Sequence, residues 1–187
     1  MSDGDLRGPL PSGRDPEAIE EPEPSAGLPV DLDIVVEAGD WSAFPQVEQL
    51  VTAAAAALAR HPQAEGLIGR QASVVLADDA MLQDLNGRYR GKDKATNVLS
   101  FPFEPPPGMS SDEADRYLGD IILAAQTLRR EADELSISPA HHLQHLVVHG
   151  LLHLLGFDHI EDAEATEMEA IETQVLAGLG IADPYVD

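Results

Sequence analysis

The chain of 187 residues contains no cysteine. This absence excludes disulfide bonds, thiolate zinc sites, iron–sulfur clusters and a cysteine nucleophile. Aromatic residues make up only 4% of the sequence, which leaves little material for an aromatic platform that stacks nucleobases. The N-terminus has no basic segment followed by an apolar one, and no apolar run approaches about 20 residues, so we expect neither a signal peptide nor a membrane span.

Basic residues are also scarce. The chain has 11 Lys and Arg residues and 34 Asp and Glu residues, which gives a net charge of −23. A charge of this sign argues against broad, non-specific binding of nucleic acid. One short stretch departs from the pattern, and its basic residues are Arg88, Arg90, Lys92 and Lys94. They are candidates for contact with a polyanion, and an ordinary solvated loop is the alternative interpretation.

Residues 1–30 differ in composition from the rest of the chain. They hold six of the 14 prolines and seven acidic residues against two arginines. A segment of this kind buries too little apolar surface to offset its ordering entropy, so we predict a disordered, acidic, proline-rich tail. Residues 31–187 are predicted to form a single domain, a length that suits one hydrophobic core.

Hydrophobic periodicity predicts strands and helices in mixed order. Alternating or short apolar runs predict strands at residues 32–36, 72–77, 97–101 and 118–123. Helical spacing predicts helices at residues 41–60, 79–87, 126–134, 139–155 and 159–177, with a loop at 104–115. Because strands and helices do not alternate strictly, we predict an α+β fold, in which a small mixed sheet packs against helices.

Six of the seven histidines lie between residues 141 and 159. His149 and His153 are four residues apart, so they project from one face of a helix, one turn apart, and can share a metal ion. Gly156 can adopt the left-handed conformation that ends a helix, and the turn after it can bring His159 back to the other two. We therefore predict a three-histidine site on a buried helix and its following turn.

Three imidazoles with a fourth position open to water are typical of a catalytic zinc site. Nickel, copper and iron also accept imidazole ligands, so the donor set alone leaves these metals open. The alternative is three core histidines that are satisfied by hydrogen bonds. Three neutral imidazoles at this spacing on an apolar helix are difficult to satisfy in that way. We predict one zinc ion per chain.

The spacing of the histidines is also that of the metzincin proteases, H-E-x-x-H-x-x-G-x-x-H, with one difference. The second position is Gly150, where those proteases carry the glutamate that acts as general base. Without this glutamate, the peptidase mechanism lacks its base. We interpret the glycine as clearing space above the metal, which would admit a group as bulky as a phosphodiester.

The segment HGLLHLLGFDH resembles the signature of the YbeY family of bacterial endoribonucleases. Other segments resemble the same family, namely Leu85-Asn86 with Tyr89-Arg90 and ATNVLSFPF, the strand LGDI, and HLVV before the histidine pair. The resemblance extends over about residues 31–179. One departure is Asn97, where the family commonly has aspartate, and we expect a structural role at this position.

This resemblance implies a metal-dependent, single-strand-specific endoribonuclease that forms the 3′ end of 16S rRNA and acts in ribosome quality control. It also implies a cytoplasmic location, contact with single-stranded rRNA and the small ribosomal subunit, and one zinc ion held by His149, His153 and His159. The alternatives are a metallopeptidase-like zinc hydrolase and a non-catalytic ribosome-assembly factor. In the latter, a fourth ligand such as Asp162 would close a structural zinc site.

Arg90 stands at the position of an arginine in the family, and its planar guanidinium can bind two phosphate oxygens. We predict that Arg90 is the catalytic phosphate clamp. The residues predicted to contact RNA are Arg88, Lys92 and Lys94. The candidates for residues that contact a metal ligand and orient it, without binding the metal, are Asp158, His145 and Asp120. Helix capping by Asp158 with Glu161 and core packing of His145 are the alternatives.

Overall fold

The computed structural model of the protein describes residues 29–186, so nearly all of the predicted tail lies outside the described part of the chain. The strands are β1 (Asp31–Val36), β2 (Gln71–Ala77), β3 (Val98–Pro102) and β4 (Tyr117–Ala124). The helices are α1 (Val47–Leu58), α2 (Asp79–Arg90), α3 (Ser111–Ala114), α4 (Ala125–Leu135), α5 (Pro139–Leu154) and α6 (Asp162–Gly178). A 3₁₀ segment, Pro62–Leu67, lies between α1 and β2.

The four strands form one mixed sheet in the order β1-β2-β4-β3. β1 pairs in parallel with β2, and β2 pairs in parallel with β4, whereas β3 runs antiparallel to β4. Ser100 of β3 is directly opposite Ile121 of β4, so these two side chains share one face of the sheet. The structure thus confirms the predicted α+β fold with a small mixed sheet.

The main core lies between one face of the sheet and the helices α1 and α5. Its fully buried side chains include Val74, Leu76, Ile121, Leu123, Leu143, Val147 and Leu151. A smaller cluster on the other face packs Leu82 of α2 against Leu99 and Ala124. α5 is buried over most of its surface, as its largely apolar sequence predicts. Within the part of the chain that the structure describes, no helix is long and apolar enough to cross a membrane.

The end of α2 differs from the prediction, which placed it near residue 87. Asn86 is buried, and its side chain donates a 2.9 Å hydrogen bond to the backbone oxygen of Lys94, so it anchors the following loop from within the helix. The helix continues to Arg90 and ends at Gly91, whose φ of 66° is the left-handed geometry of a helix C-terminus. Arg90 therefore lies on a helical turn rather than in a loop.

Other element bounds also differ from the predicted ones. The helix expected at residues 41–60 begins only at Val47, because Gln46 before it adopts a left-handed φ of 56°. The last helix begins at Asp162, so His159 lies in the preceding turn and not in the helix. The loop predicted at residues 104–115 contains the short helix α3, which Ser110 starts with a capping box.

Candidate metal centre and adjoining cavity

α5 and the turn after it bring three histidines together. The imidazole rings of His149 and His153 have centroids 4.6 Å apart, and their Nε2 atoms are separated by 3.0 Å. Gly156 has a φ of 94°, which reverses the chain after the helix. The ring of His159 then lies 5.5 Å from that of His149 and 5.0 Å from that of His153. The convergence agrees with the prediction from the histidine spacing.

The nitrogen atoms of these rings fit a metal ion. One ring nitrogen from each of the three histidines lies within 4.8 Å of the others. Nδ1 of His149 is 2.7 Å from Oε1 of Glu172, and Nδ1 of His153 is 3.0 Å from the backbone oxygen of Phe157. A neutral imidazole with an acceptor at Nδ1 carries its proton there and has a lone pair on Nε2. Two such lone pairs 3.0 Å apart repel each other unless a cation lies between them.

The surroundings of His153 favour the form that binds metals. Burial lowers the pKa of His153, and positive charge on the adjacent His149 would lower it further. A neutral imidazole is the form that donates a lone pair to a metal ion. The partners of Nδ1 in both rings are of the kinds that commonly orient metal-bound histidines, a carboxylate and a backbone carbonyl.

Glu172 of α6 is a part of the site that the sequence analysis missed. Its side chain is 0% exposed, and its two oxygens contact different partners. Oε1 accepts a hydrogen bond from His149, whereas Oε2 lies 3.3 Å from Nε2 of His145 and accepts a hydrogen bond from the hydroxyl of Tyr185. Burial opposes ionisation of Glu172, but the hydrogen bonds from His145, His149 and Tyr185 outweigh it and lower its pKa to about 2.

The sequence contains a signal that Glu172 is buried and needs a polar partner. It lies four residues after Met168 and three before Val175, on the helical stripe that α6 buries. An acidic residue on an apolar stripe requires a polar partner when the helix packs. The identity of that partner depends on how α6 lies against α5, which the periodicity of α6 alone does not specify.

Two of the predicted supporting residues lie near the histidines. His145 contacts Glu172, which in turn contacts His149, so one side chain lies between His145 and this candidate ligand. Asp158 accepts the backbone N–H of His159 at 2.7 Å through Oδ1. The alternative that Asp158 caps the last helix is wrong, because the N-cap residue of α6 is Glu161.

Asp120 lies away from the histidines, on the other face of the sheet. It accepts a 2.8 Å hydrogen bond from the hydroxyl of Tyr117, which is also 2.7 Å from Oγ of Ser73. The adjacent residue, Ile121, faces α5, where it meets Gly150. Since neighbouring side chains of a strand point to opposite faces, Asp120 faces away from the helix that carries the histidines. The prediction that Asp120 supports a metal ligand is therefore wrong.

Gly150 has a packing role that the sequence interpretation did not anticipate. A Cβ atom built on Gly150 would lie only 2.9 Å from Cγ2 of Ile121. The glycine therefore allows α5 to lie close against β4, and it faces the sheet. The interpretation that it clears space above the metal is wrong.

A cavity of about 520 Å³ adjoins the histidines. It is lined by Arg90, Ser100, Pro102, His153, Gly156, Phe157, Asp158, His159 and Ile160. The last turn of α2 thus brings a guanidinium group to the same space as two of the three candidate metal ligands. The hydroxyl of Ser100 donates a 3.3 Å hydrogen bond to the backbone oxygen of Gly150, which ties β3 to α5 at the base of the site.

The other residues of the basic stretch lie outside this cavity lining. Arg88 forms a 2.8 Å ion pair with Asp84 on the exposed side of α2. Lys92 and Lys94 are exposed in the loop between α2 and β3. Among these four basic residues, all within the described range, Arg90 is the one that lines the cavity.

Asn97 belongs to a separate hydrogen-bond network. Its side chain donates to Oε2 of Glu131 at 2.9 Å and accepts the backbone N–H of Val98 at 2.7 Å. The same oxygen of Glu131 is 2.8 Å from Nε2 of His142. These contacts join the start of β3 to α4 and α5, which agrees with the structural role expected for Asn97.

Comparison with known proteins relates this chain to one family. The family model described as endoribonuclease YbeY matches residues 37–180. Endoribonuclease YbeY of Bradyrhizobium sp. strain BTAi1 is 48% identical over 166 residues, which cover 88% of this chain and 96% of that protein. Endoribonuclease YbeY of Azorhizobium caulinodans is 50% identical over 157 residues, which cover 83% and 96% of the two chains. A solution structure of a Thermotoga maritima protein gives a TM-score of 0.47 with 21% identity, over 83% of this chain and 99% of that one. From the family match and the two sequence relatives, we conclude that this chain belongs to the YbeY family of endoribonucleases.

Proposed function

We propose that this protein is a zinc-dependent endoribonuclease that cuts single-stranded rRNA to form the 3′ end of 16S rRNA. It would thereby act in rRNA maturation and ribosome quality control, on the small ribosomal subunit in the cytoplasm. The observation that carries the proposal is the shared cavity, because Arg90 and the histidines His153 and His159 line the same space of about 520 Å³. The names of the relatives, endoribonuclease YbeY, support RNA as the substrate.

Three neutral imidazoles make zinc the favoured metal. His149, His153 and His159 would hold it, and the bound ion would supply a Lewis acid that activates water and stabilises charge on the phosphate. Within residues 29–186, the group that could hold a metal consists of these three histidines and does not include Asp162. This favours an open, catalytic site over the closed, structural site of an assembly factor.

Arg90 would bind the scissile phosphate. Its guanidinium can donate two parallel hydrogen bonds to phosphate oxygens. Its positive charge would stabilise the negative charge that develops on these oxygens in the transition state. Arg90 lies on the last turn of α2 rather than in a loop, so the backbone that carries its guanidinium group is helical. Asp158 is the carboxylate that lines this cavity, and it is our candidate for accepting a proton from the attacking water.

The charge of the protein also bears on how RNA would bind. At a net charge of −23, long-range repulsion opposes the approach of a polyanion. Attraction must therefore be local, at Arg90, at the metal and at the exposed lysines of the α2–β3 loop. Few phosphates would be neutralised, so we expect the affinity for RNA to fall only shallowly with salt concentration.

The test uses a labelled fragment of 16S rRNA that contains the 3′ end, offered as a single strand and as a duplex. Wild-type protein should cut the single strand, and His153→Ala should lose both zinc and cleavage. A matched control is His61→Ala, which removes a half-buried histidine that contacts Gln174 instead of the metal centre. Equal cleavage by wild type and His153→Ala would contradict the proposal, as would cleavage of casein in place of RNA.

A further inference from the structure

The chain that follows α6 returns to the metal centre. Asp183 accepts hydrogen bonds from Oγ1 of Thr173 at 3.2 Å and from the backbone N–H of Tyr185 at 2.9 Å, so residues 183–185 are fastened to α6. The hydroxyl of Tyr185 then reaches Oε2 of Glu172 and lies 3.3 Å from Nε2 of His145. We call residues 183–185 the C-terminal strap.

The strap contacts a carboxylate whose two oxygens have divided roles. Oε1 of Glu172 accepts from Nδ1 of His149, while Oε2 receives the hydroxyl of Tyr185 and the imidazole of His145. We propose that the C-terminal strap is a positioning device for the metal, in which Tyr185 fixes Glu172 and Glu172 fixes the ligand His149. Neither residue touches the metal directly in this arrangement.

The physical reason lies in the burial of Glu172. Glu172 is 0% exposed, so water cannot donate a hydrogen bond to its carboxylate. An oxygen of this group that lacks a donor from the protein would therefore be destabilising. With His149 at Oε1, and with Tyr185 and His145 at Oε2, both oxygens are satisfied from different directions, so the plane of the carboxylate is determined. That plane sets the direction of the bond from Nδ1 of His149, and therefore the direction in which Nε2 of His149 points.

The location of Tyr185 supports a role at the metal centre. A second cavity, of about 180 Å³, is lined by His149, His159, Ala165, Met168, Glu169, Glu172 and Tyr185. The strap thus borders the histidines at a place distinct from the cavity that holds Arg90. Tyr185 is also 43% exposed, so its ring is not part of the hydrophobic core.

This inference rests on the proposed metal site, and metal affinity tests it without reference to RNA. We would measure the dissociation constant of Zn²⁺ for the full-length chain by competition with a chromophoric chelator. Tyr185→Phe should weaken zinc binding about tenfold, and Glu172→Gln should weaken it by up to about 100-fold, the range found for groups that orient metal ligands. Asp183→Ala should act in the same direction as Tyr185→Phe, because it unfastens the strap.

Matched controls separate positioning from general effects of charge or stability. Glu167→Gln removes the same charge from an exposed position of α6 that contacts Gln63, and Tyr117→Phe removes a hydroxyl on the opposite face of the sheet. Both should keep zinc affinity within about twofold of wild type, as expected for distant sites. The absorption spectrum of the Co²⁺-loaded protein should change in Tyr185→Phe and not in Tyr117→Phe.

These measurements distinguish failure of the positioning role of the C-terminal strap from failure of the proposed RNA cleavage. Zinc affinity and cobalt spectrum of Tyr185→Phe equal to those of wild type would overturn the inference, even if the wild type cleaves RNA. A wild type that binds zinc but does not cleave RNA would contradict the proposed function and leave the strap standing. If the buried variant Glu172→Gln does not fold, the surface variant Tyr185→Phe alone tests whether the strap positions His149.

Discussion

Arg90 differs from the neighbouring basic residues in the surface that it faces. It lines the cavity beside His153 and His159, whereas Arg88 is paired with Asp84 on the outside of α2. If Arg90 stabilises the transition state, Arg90→Lys should reduce cleavage by about 10²-fold, comparable with the loss of one preorganised donor. Zinc content and thermal stability should stay unchanged, and the matched control is Arg60→Lys, at an exposed position outside the cavity lining. Wild-type cleavage by Arg90→Lys would show that the phosphate clamp is another residue.

Lys92 and Lys94 are exposed. They follow Arg90 closely in the sequence, but they do not line the cavity. As point charges that attract phosphates, they should contribute to binding and not to the chemical step. Lys92→Ala and Lys94→Ala should each weaken RNA binding modestly and reduce the dependence of affinity on salt concentration. Binding and cleavage would be measured on the same variants at several salt concentrations. Loss of the cleavage step with unchanged affinity would place a lysine in the catalytic group.

The residues of the site differ in how far their positions follow from local sequence. The cluster of His149, His153 and His159 could be predicted because it arises within one helix and one glycine turn, which are local features. Asp120 was placed wrongly, since an isolated acidic residue in a strand does not reveal which face it occupies. Glu172 was missed because its partners belong to α5 and to the C-terminal strap, and only tertiary packing brings these together.

The contact between α5 and β4 depends on the absence of a side chain at Gly150. Because a Cβ would approach Ile121 to 2.9 Å, Gly150→Ala should overpack this contact and lower the free energy of unfolding by about 1–3 kcal/mol. Gly87→Ala is the matched control, since a Cβ at that helical position meets nothing within 4 Å. The control should raise the free energy of unfolding by up to about 1 kcal/mol. Denaturant unfolding measures both, and equal effects of the two substitutions would contradict the packing role.

The network of Asn97, Glu131 and His142 joins β3, α4 and α5, and it should make stability depend on pH. Burial favours the neutral form of Glu131, but the hydrogen bonds from His142 and Asn97 outweigh it and lower the pKa of this carboxyl group. A lowered pKa means that the unfolded chain binds the proton more tightly than the folded one. The contribution of Glu131 is therefore fully present above the ordinary carboxyl pKa and is lost as the pH falls through the lowered value.

Glu131→Gln tests this network. The variant should be less stable than wild type at neutral pH, and the difference between them should shrink as the pH falls below about 4, where the carboxyl groups of both states become protonated. Thermal unfolding across this pH range measures the difference. A constant difference at every pH would mean that the charge of Glu131 does not contribute to stability.

For the fold as a unit, the sequence predicts the α+β class and most elements, because apolar periodicity reports which faces are buried. Boundaries were less accurate where a local signal was ambiguous. Asn86 with the following glycine is a common turn signal, yet Asn86 is held inside the protein by the Lys94 backbone and α2 continues. The cavity itself could not be predicted, since α2, β3 and α5 contribute to it from three separate parts of the chain.

We propose that the three-histidine centre, with Arg90 beside it, cleaves RNA. The most direct measurement is a titration of chelator-treated protein with Zn²⁺, in which cleavage of a single-stranded rRNA fragment is followed against zinc bound per chain. We predict that cleavage is absent without metal, rises in proportion to bound zinc and reaches its plateau at one ion per chain. Full cleavage by the metal-free protein would contradict a metal-dependent reaction at this centre.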